Sequence, residues 1–500
     1  MRKNSVRRIL SVRFDSGLCK ALLILMLASM AGVQAFAACY TVSPSGSGSQ
    51  TGADWNNTLA WPANASGPPA WAVRGNVYYL QDGSYGQLRF NFPASGTLPI
   101  EFRKAQSYDN CTSVGWNTST MGSGQAVFPY INVEPIIEAE SSYMILNGNG
   151  SYAGAGCGGG PGATQTAGPP NPSDCGIKVD NSTCTSSTTN ACTYPIKSTT
   201  SNITNVTLEY VEVAGNNNNA SETAQIFSGY SGDSNPTFTH LYMHNAGCVY
   251  IQDGLGSAVV TNSYFWGNNT LASGCHGQAV FDAGADSNGV FANNVFRDIS
   301  GTAIWTFAAT STTHDNWLFY NNVIWADSSA NDQQEDGIIA CINSGTICTN
   351  FMVMQNTMVN LNYSTGTVFS NPGGSITFEN NLWYLNQQIS GSTLPPGGPL
   401  FTMAGSTLTE DYNSSLSSGS TNPFTGSHDV NDPSAPVPFV NWQAGNFSLA
   451  SENADWNNRL ALAAPFTTDP KGVTRTTDRG AYQFISPAPP TNLTATPSPQ

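Results

Sequence analysis

At 500 residues the chain is longer than one ordinary compact core, though a solenoid can run that length as a single domain. The 49 glycines and only 10% charged residues argue against a helical protein, and 11% aromatics exclude a disordered one. A net charge of −15 excludes a nucleic-acid binder, because phosphate recognition needs a basic face. A β-rich chain with a polar surface is expected.

The first 37 residues read as a signal peptide. Arg2, Lys3, Arg7, Arg8, Arg13 and Lys20 precede and flank an apolar run over 21–33, and "AFA" ending at Ala37 fits a small-residue cleavage site. Secretion, to the periplasm or beyond the cell, is the expected localisation. No later run approaches the roughly 18 apolar residues of a membrane span. Removing the leader takes away 6 of 17 basic residues and 1 of 32 acidic ones, leaving 11 against 31, or −20. Cys19 also goes, and the ten remaining cysteines suggest disulfides formed outside the cytoplasm. Cys341 and Cys348 in "CINSGTIC" are spaced to close a short loop, and no cysteine or histidine spacing suggests zinc. Residues 147–200, rich in Gly, Pro, Ser and Thr, carry Cys157, Cys175, Cys184 and Cys192 and read as an insertion pinned by disulfides.

From residue 262 the chain repeats. A polar residue opening an apolar run recurs at Asn262, Asn293, Asn321, Gln355 and Asn380, at intervals of 31, 28, 34 and 25. A second column, Gly247, Gly277, Gly301, Gly337 and Gly366, precedes the runs "CVYI", "QAVF", "TAIW", "IIAC" and "TVFS". Two short strands per period punctuated by Asn and Gly are the signature of a solenoid coil. Coils stacked about 4.8 Å apart place equivalent residues above one another, so buried Asn amides can bond along a ladder. Asn and Gly also tolerate the left-handed backbone that sharp corners require. Val295, Phe296, Val323 and Ile324 supply interior side chains, with their parity left open.

The opening "YTVSPSGSGSQTG" and "RGNVYYLQDGSYG", the repeat, and the closing "DPKGVTRTTDRGAYQF" together resemble secreted proteins of the pectate-lyase-like superfamily. The resemblance covers about 39–484 and implies an all-β fold. That fold is a right-handed single-stranded parallel β-helix over 38–485 with loop insertions, the closing stretch being its last coil. A Pro/Thr-rich linker follows over 486–500. The superfamily holds lyases, hydrolases, epimerases and non-catalytic members, so the reaction has to be argued from a site.

The spacing between the two columns is 15 residues from Asn262, 8 from Asn293 and 16 from Asn321. A short coil between two long ones leaves a notch. Its floor is "RDIS", with Arg297, Asp298 and Ser300, and its walls end at His276 and Asp336. Arg297 is the only Lys or Arg between Lys197 and Arg459. His276 and Asp336 each precede a column Gly and are expected two coils apart in one column. Asp332, Glu335 and Asp336 form an acidic wall that could hold calcium. As the resemblance implies, a lyase would use Arg297 or His276 as base on an acidic glycan, with calcium neutralising the substrate carboxylate. A hydrolase would pair carboxylates from Asp282, Asp298, Glu335 and Asp336. Trp266, Trp325 and Tyr384 lie four residues past their column positions and could stack on sugar rings if they face outward, or form core if they do not.

Plainer readings stand beside these. Arg297 can simply pair with an aspartate, His276 can be ordered by a disulfide at Cys275, and the acidic wall can be a solvated loop. The expected protein is a secreted monomer that binds polysaccharide. Lyase-type cleavage leads, with hydrolysis or a non-catalytic adhesin or matrix role as alternatives.

Overall fold

The computed structural model describes residues 38–485 apart from 63–67, 94–95, 132–134, 150–156, 158–173, 185–193, 217–224, 230–231, 269–276, 300, 328–332, 364–368, 371–372, 389–400, 403–404, 419–423, 458 and 477. The expected leader and linker therefore lie outside the described residues. Within them, short strands form three long parallel sheets, here called A, B and C, with 14, 12 and 12 strands. One coil runs Val290–Ala292 in A, Val295–Ile299 in B and Gly301–Phe307 in C, then returns to A with Thr313–Asp315 and Leu318–Tyr320. Equivalent residues pair from coil to coil, as in the column Val260, Phe291, Phe319, Val353 and Phe378 of sheet A. The repeat is a parallel β-helix, nearly all-β, and among the described residues one four-residue α-helix stands at Thr118–Met121.

The corner between sheets A and B explains the paired asparagines. Its first residue has left-handed backbone, with φ of 51° at Asn262, 59° at Asn293, 57° at Asn321, 56° at Gln355 and 58° at Asn380. Asn carries this conformation at little cost because its short polar side chain bonds locally. The second residue points inward. Each of Asn294, Asn322 and Asn356 donates its amide Nδ2 to the Oδ1 of the next member at 3.0–3.1 Å, and that same oxygen accepts the backbone N–H below. The ladder continues through Asn381 and Asn413 and ends on the Asp429 carboxylate. These amides are at most 1% exposed, so the ladder satisfies polar groups that would otherwise be orphaned.

The interior is filled by alternate residues of each strand. Phe265 and Phe296 stack at 4.8 Å with ring planes 5° apart. Phe296 and Ile324 belong to this core, whereas Val295 and Val323 lie on the opposite face of sheet B, which settles the parity.

That outer face is itself covered in its later coils. The segment from Ala435 to Tyr482 folds back over sheet B and packs Phe439, Phe447, Leu449, Trp456 and Tyr482 against Val323, Trp325, Val359, Leu382, Tyr384 and Leu416. Arg475 donates to Asn321 Oδ1 at 2.7 Å, and Arg479 to the Asn413 carbonyl at 2.6 Å. Gly480, at φ 81°, lets the strap pass where a Cβ would lie 2.7 Å from Leu382 Cβ. The closing "DPKGVTRTTDRGAYQF" is therefore part of a strap across sheet B, not the last coil. An isolated stretch of sequence cannot reveal that it lies over residues a hundred positions earlier.

Residues 147–200 also differ from a simple insertion. Ile177–Asp180 pairs on both sides within sheet B, and Ile196–Ser198 within sheet C, so the segment contributes a rung of its own. Cys157 bonds to Cys175, Cys39 to Cys111, and Cys341 to Cys348 as the spacing suggested. Cys184 and Cys248 are also disulfide-bonded. These bridges fit an oxidising compartment. Among the described residues no helix is long and apolar enough to cross a membrane.

Candidate functional site

The short coil exists as expected. One residue, 300, separates Val295–Ile299 in sheet B from Gly301–Phe307 in sheet C. The coil before it spends residues 269–279 on the same corner, and the coil after it residues 326–332. This coil therefore has the shortest B-to-C corner of the three, and Asp298 stands beside it, one residue before the end of its sheet B strand. Asp298 has φ 52°, but so do most residues at this corner of neighbouring coils: Asn245 and Asn360 at 58°, Leu385 at 56°. The left-handed backbone there belongs to the corner and is no mark of function.

Five side chains from three coils meet beside this corner. Trp266, Arg297 and Trp325 are register partners in successive strands of sheet B. The Arg297 guanidinium lies between the two indoles, 5.2 Å from the Trp266 ring and 4.7 Å from that of Trp325. It also pairs with Asp298 at 3.1 Å and with Asp327. Trp266 Nε1 donates to Asp298 Oδ2 at 2.9 Å, and the Asp327 backbone N–H to Asp298 Oδ1 at 2.9 Å.

These contacts set the charges. Burial, with the nearby Asp327, pushes the Asp298 carboxyl up to about 6. Burial also raises Asp327, but hydrogen bonds from Arg297 and Asp298 outweigh it and leave that carboxyl below its usual value. Burial alone would lower Arg297, yet Tyr264, Asp327 and Asp298 around it raise its pKa instead. A group that must lose its proton to act as a base is here held protonated. Arg297 is 5% exposed, stacked between two indoles and paired with two aspartates, an arrangement that matches the plainer reading of an arginine held by an aspartate.

The aromatic column holds its register, since Trp325 pairs with Val359 and Val359 with Tyr384. It faces away from the solenoid interior, but the strap covers most of it. Trp325 meets Phe447 at 5.3 Å and Tyr384 meets Phe439 at 5.7 Å. At 1% and 4% exposure, Trp325 and Tyr384 cannot serve as a sugar platform, and of the three only Trp266 remains partly exposed.

The glycine column slips. Val280 pairs with Trp305, which places Gly277 opposite residue 302, while Gly337 pairs with Ala303 across a bulge after Gly301. Asp336 then lies opposite residue 302, not 300, and the column expected to join it to His276 lies outside the described residues. Because side chains alternate, such a slip changes which face a residue occupies. His276 and Asp332 lie outside the described residues. Glu335 and Asp336 fall in the strand Gln333–Cys341, and their side chains, with the calcium site built on them, lie outside the described part of the structure. Among the described residues no group of three or more His, Cys, Asp or Glu is arranged to hold a metal. Asp282, another candidate carboxylate, is fully buried beside His314 in the solenoid interior and cannot meet a polymer.

Sequence reasoning missed Asp327, which follows Trp325 by two residues and so falls beside the floor. It also missed a second polar group further along the same face. Glu212 contacts His244 Nε2 at 3.2 Å and Lys178 at 3.4 Å, and the Tyr242 ring stacks on His244 at 4.4 Å. The one-period spacing of Glu212 and His244 was the available signal. Glu212 is three rungs from Arg297, about 14 Å, beyond the roughly 6.5–9.5 Å that separates the working carboxylates of an inverting glycosidase.

Coils, ladder and strap define a parallel β-helix protein whose B-to-C corner is shortest in the coil that carries Asp298. No family model and no curated protein matches this chain. Among solved structures, the pectate lyase Pel9A is similar at 14% identity over 89% of this chain and 96% of that one, with a TM-score of 0.44. A GH136 lacto-N-biosidase from Eubacterium ramulus is similar at 10% identity over 79% and 70% of the two chains, TM-score 0.41. XylC in complex with xylose gives 9% identity over 89% and 98%, TM-score 0.41. None of the three carries its activity over to this chain.

Proposed function

We propose that the protein binds a polysaccharide in the notch at the B-to-C corner and cleaves it by acid–base hydrolysis. A sugar ring would rest on the partly exposed Trp266, and Asp298 would donate a proton to the glycosidic oxygen. The observation that carries this reading is the divided pair at the floor, Asp298 raised to about 6 beside an Asp327 held ionised. Environments that push two neighbouring carboxyls apart are how one site holds both an acid and a base near neutral pH. The two are too close to be the donor and the water-activating base of one displacement. Asp327 therefore tunes Asp298 and is not the second catalytic carboxylate that hydrolysis needs. Elimination loses ground because Arg297 is held protonated.

One observation favours a non-catalytic role. The Asp298 carboxylate already accepts from Trp266, Arg297 and the Asp327 backbone, as a purely structural aspartate would. A panel of polysaccharides separates the readings, with reducing ends reporting hydrolysis and ultraviolet absorbance reporting the unsaturated product of elimination. New reducing ends without absorbance, abolished by Asp298→Asn, support the proposal. Absorbance gain supports the lyase. Retention on a glycan column without either product leaves the binding protein.

A further inference from the structure

We infer that His244 is the general base of this site, activating the water that attacks the sugar, and that Glu212 positions it. The inference rests on the reading of Asp298 as proton donor to a glycan and supplies the partner which that reading lacks. His244, Trp266 and Arg297 are register partners in successive strands of sheet B, so His244 and Arg297 stand one rung to either side of Trp266. Two rungs span about 9–10 Å. Asp298 follows Arg297 and accepts from the Trp266 indole at 2.9 Å. Proton donor and imidazole thus flank the aromatic face on which the sugar rests, at a spacing of the order that separates an inverting pair, roughly 6.5–9.5 Å. The corner residue between them is Gly267, at φ 80°. Among the described residues only Asn245 Oδ1 lies within 4 Å of a Cβ built there, at 3.6 Å, so the backbone leaves room beside the indole for a ligand.

Glu212 is itself too distant to act, but it holds a residue one rung nearer. Its Oε1 contacts His244 Nε2 at 3.2 Å and Lys178 at 3.4 Å, and its Oε2 accepts from Gln125 at 2.9 Å. Burial works against its charge, yet the hydrogen bonds from His244 and Gln125 and the charge of Lys178 outweigh it and hold the carboxyl below its usual value. With Nε2–H committed to Glu212, the basic lone pair of the neutral imidazole is on Nδ1. Among the described residues Nδ1 makes no hydrogen bond, and the side chain is 14% exposed, with Tyr242 stacked on it at 4.4 Å. In the step that follows, Nδ1 takes a proton from water as the water oxygen bonds the anomeric carbon. The glycosidic C–O bond breaks, and its electron pair passes to the leaving oxygen, which takes the Asp298 proton. The imidazolium then releases its proton to solvent and Asp298 regains one.

The test uses the mature chain with β-glucan, xylan, galactomannan and polygalacturonate, following reducing ends and, by proton NMR, the anomer released first. Hydrolysis of at least one polymer with inversion is expected. His244→Ala and His244→Gln are each expected to lose about 10²-fold or more in kcat. Both should still be retarded by that polymer in native affinity gels, which guards against misfolding. Azide, a nucleophile that needs no base, is expected to restore turnover of His244→Ala by about ten-fold, with glycosyl azide as product. Among the described residues the charged and titratable groups around His244 are Glu212, Lys178, Tyr242 and Tyr264, with Asp180 and Arg297 two rungs away to either side. Glu212→Gln removes the anion that favours the imidazolium, so the acid limb of the pH–rate profile is expected to move to lower pH with KM unchanged; an unmoved limb overturns the role of Glu212. Hydrolysis by His244→Ala within about three-fold of wild type, or a product of retained configuration, overturns the inference and leaves the hydrolase reading standing. Loss of retardation together with activity in both His244 variants makes the residue structural and overturns it as well. No reducing ends from any polymer overturns the hydrolase reading itself.

Discussion

The indole N–H of Trp266 bonds the carboxylate of Asp298 at 2.9 Å, although 32 residues separate them along the chain. One turn of the solenoid is that long, and the contact exists only because successive coils stack in register. The candidate site depends on it, because the same bond orients the partly exposed Trp266 indole and an Asp298 carboxyl raised to about 6.

If Asp298 is the proton donor, activity must fall as pH rises through about 6, where the acid loses its proton. Asp298→Asn removes it and is expected to lower kcat by about 10²–10⁴-fold, the usual worth of a positioned general acid. Asp327→Asn removes a neighbour that helps keep the proton on Asp298, so the alkaline limb of the pH–rate profile is expected to move to lower pH. An unmoved limb would separate Asp327 from the titration.

The ladder makes a stability prediction. Asn356 donates to the Phe319 carbonyl at 2.9 Å and to Asn381, and accepts from both the backbone and the side chain of Asn322. Asn356→Ala leaves several of these buried groups unpaired, at about 1–3 kcal/mol each. A loss of about 3–5 kcal/mol in denaturant melts is expected. Thr310→Ala, at an exposed turn, should cost well under 1 kcal/mol.

Stability should depend on pH in an unusual direction. Asp282 and Asp286 are buried together and their carboxyls are pushed up to about 7, burial being the main cause for both. Their folded values exceed the unfolded ones, so the contribution is fully present below about pH 4 and is lost as pH rises through about 7. Glu410, raised to about 8 by burial and by Asp429, acts in the same sense. The melting temperature is expected to fall between pH 5 and pH 8, and Asp282→Asn to flatten that slope. A melting temperature that climbs over this range would show these carboxyls to be ionised in the fold.

The strap should be separable from the solenoid. Gly480 has a left-handed backbone and two side chains within 2.7 Å of any added Cβ, so Gly480→Val is expected to cost at least about 2 kcal/mol and loosen the strap. Loosening exposes Trp325 and Tyr384, and tryptophan emission should shift to the red before the sheets melt.

The sequence made the solenoid legible through its asparagine pairs, because a left-handed corner residue followed by an inward amide is a demand that few other residues meet. The short coil was legible for a related reason: loop length survives any error in register. The register itself was not. Glycine at the start of the sheet C strands answers no fixed backbone need, so Gly301 and Gly337 drifted apart by two positions. The fate of Trp325 and Tyr384 was hidden as well. Periodicity places them on one face, but only the strap's distant Phe447 and Phe439 decide that the face is buried. Arg297 was found by its rarity. Its role turned on Asp327, whose position next to it depends on three-dimensional stacking.

A crystal structure of the Asp298→Asn protein with an oligosaccharide fragment of a polymer it binds tests the central claim most directly. The account predicts a sugar ring against Trp266, with a glycosidic oxygen about 3 Å from the residue 298 side chain. Density for the sugar on another face of the solenoid, with the notch empty, would contradict it.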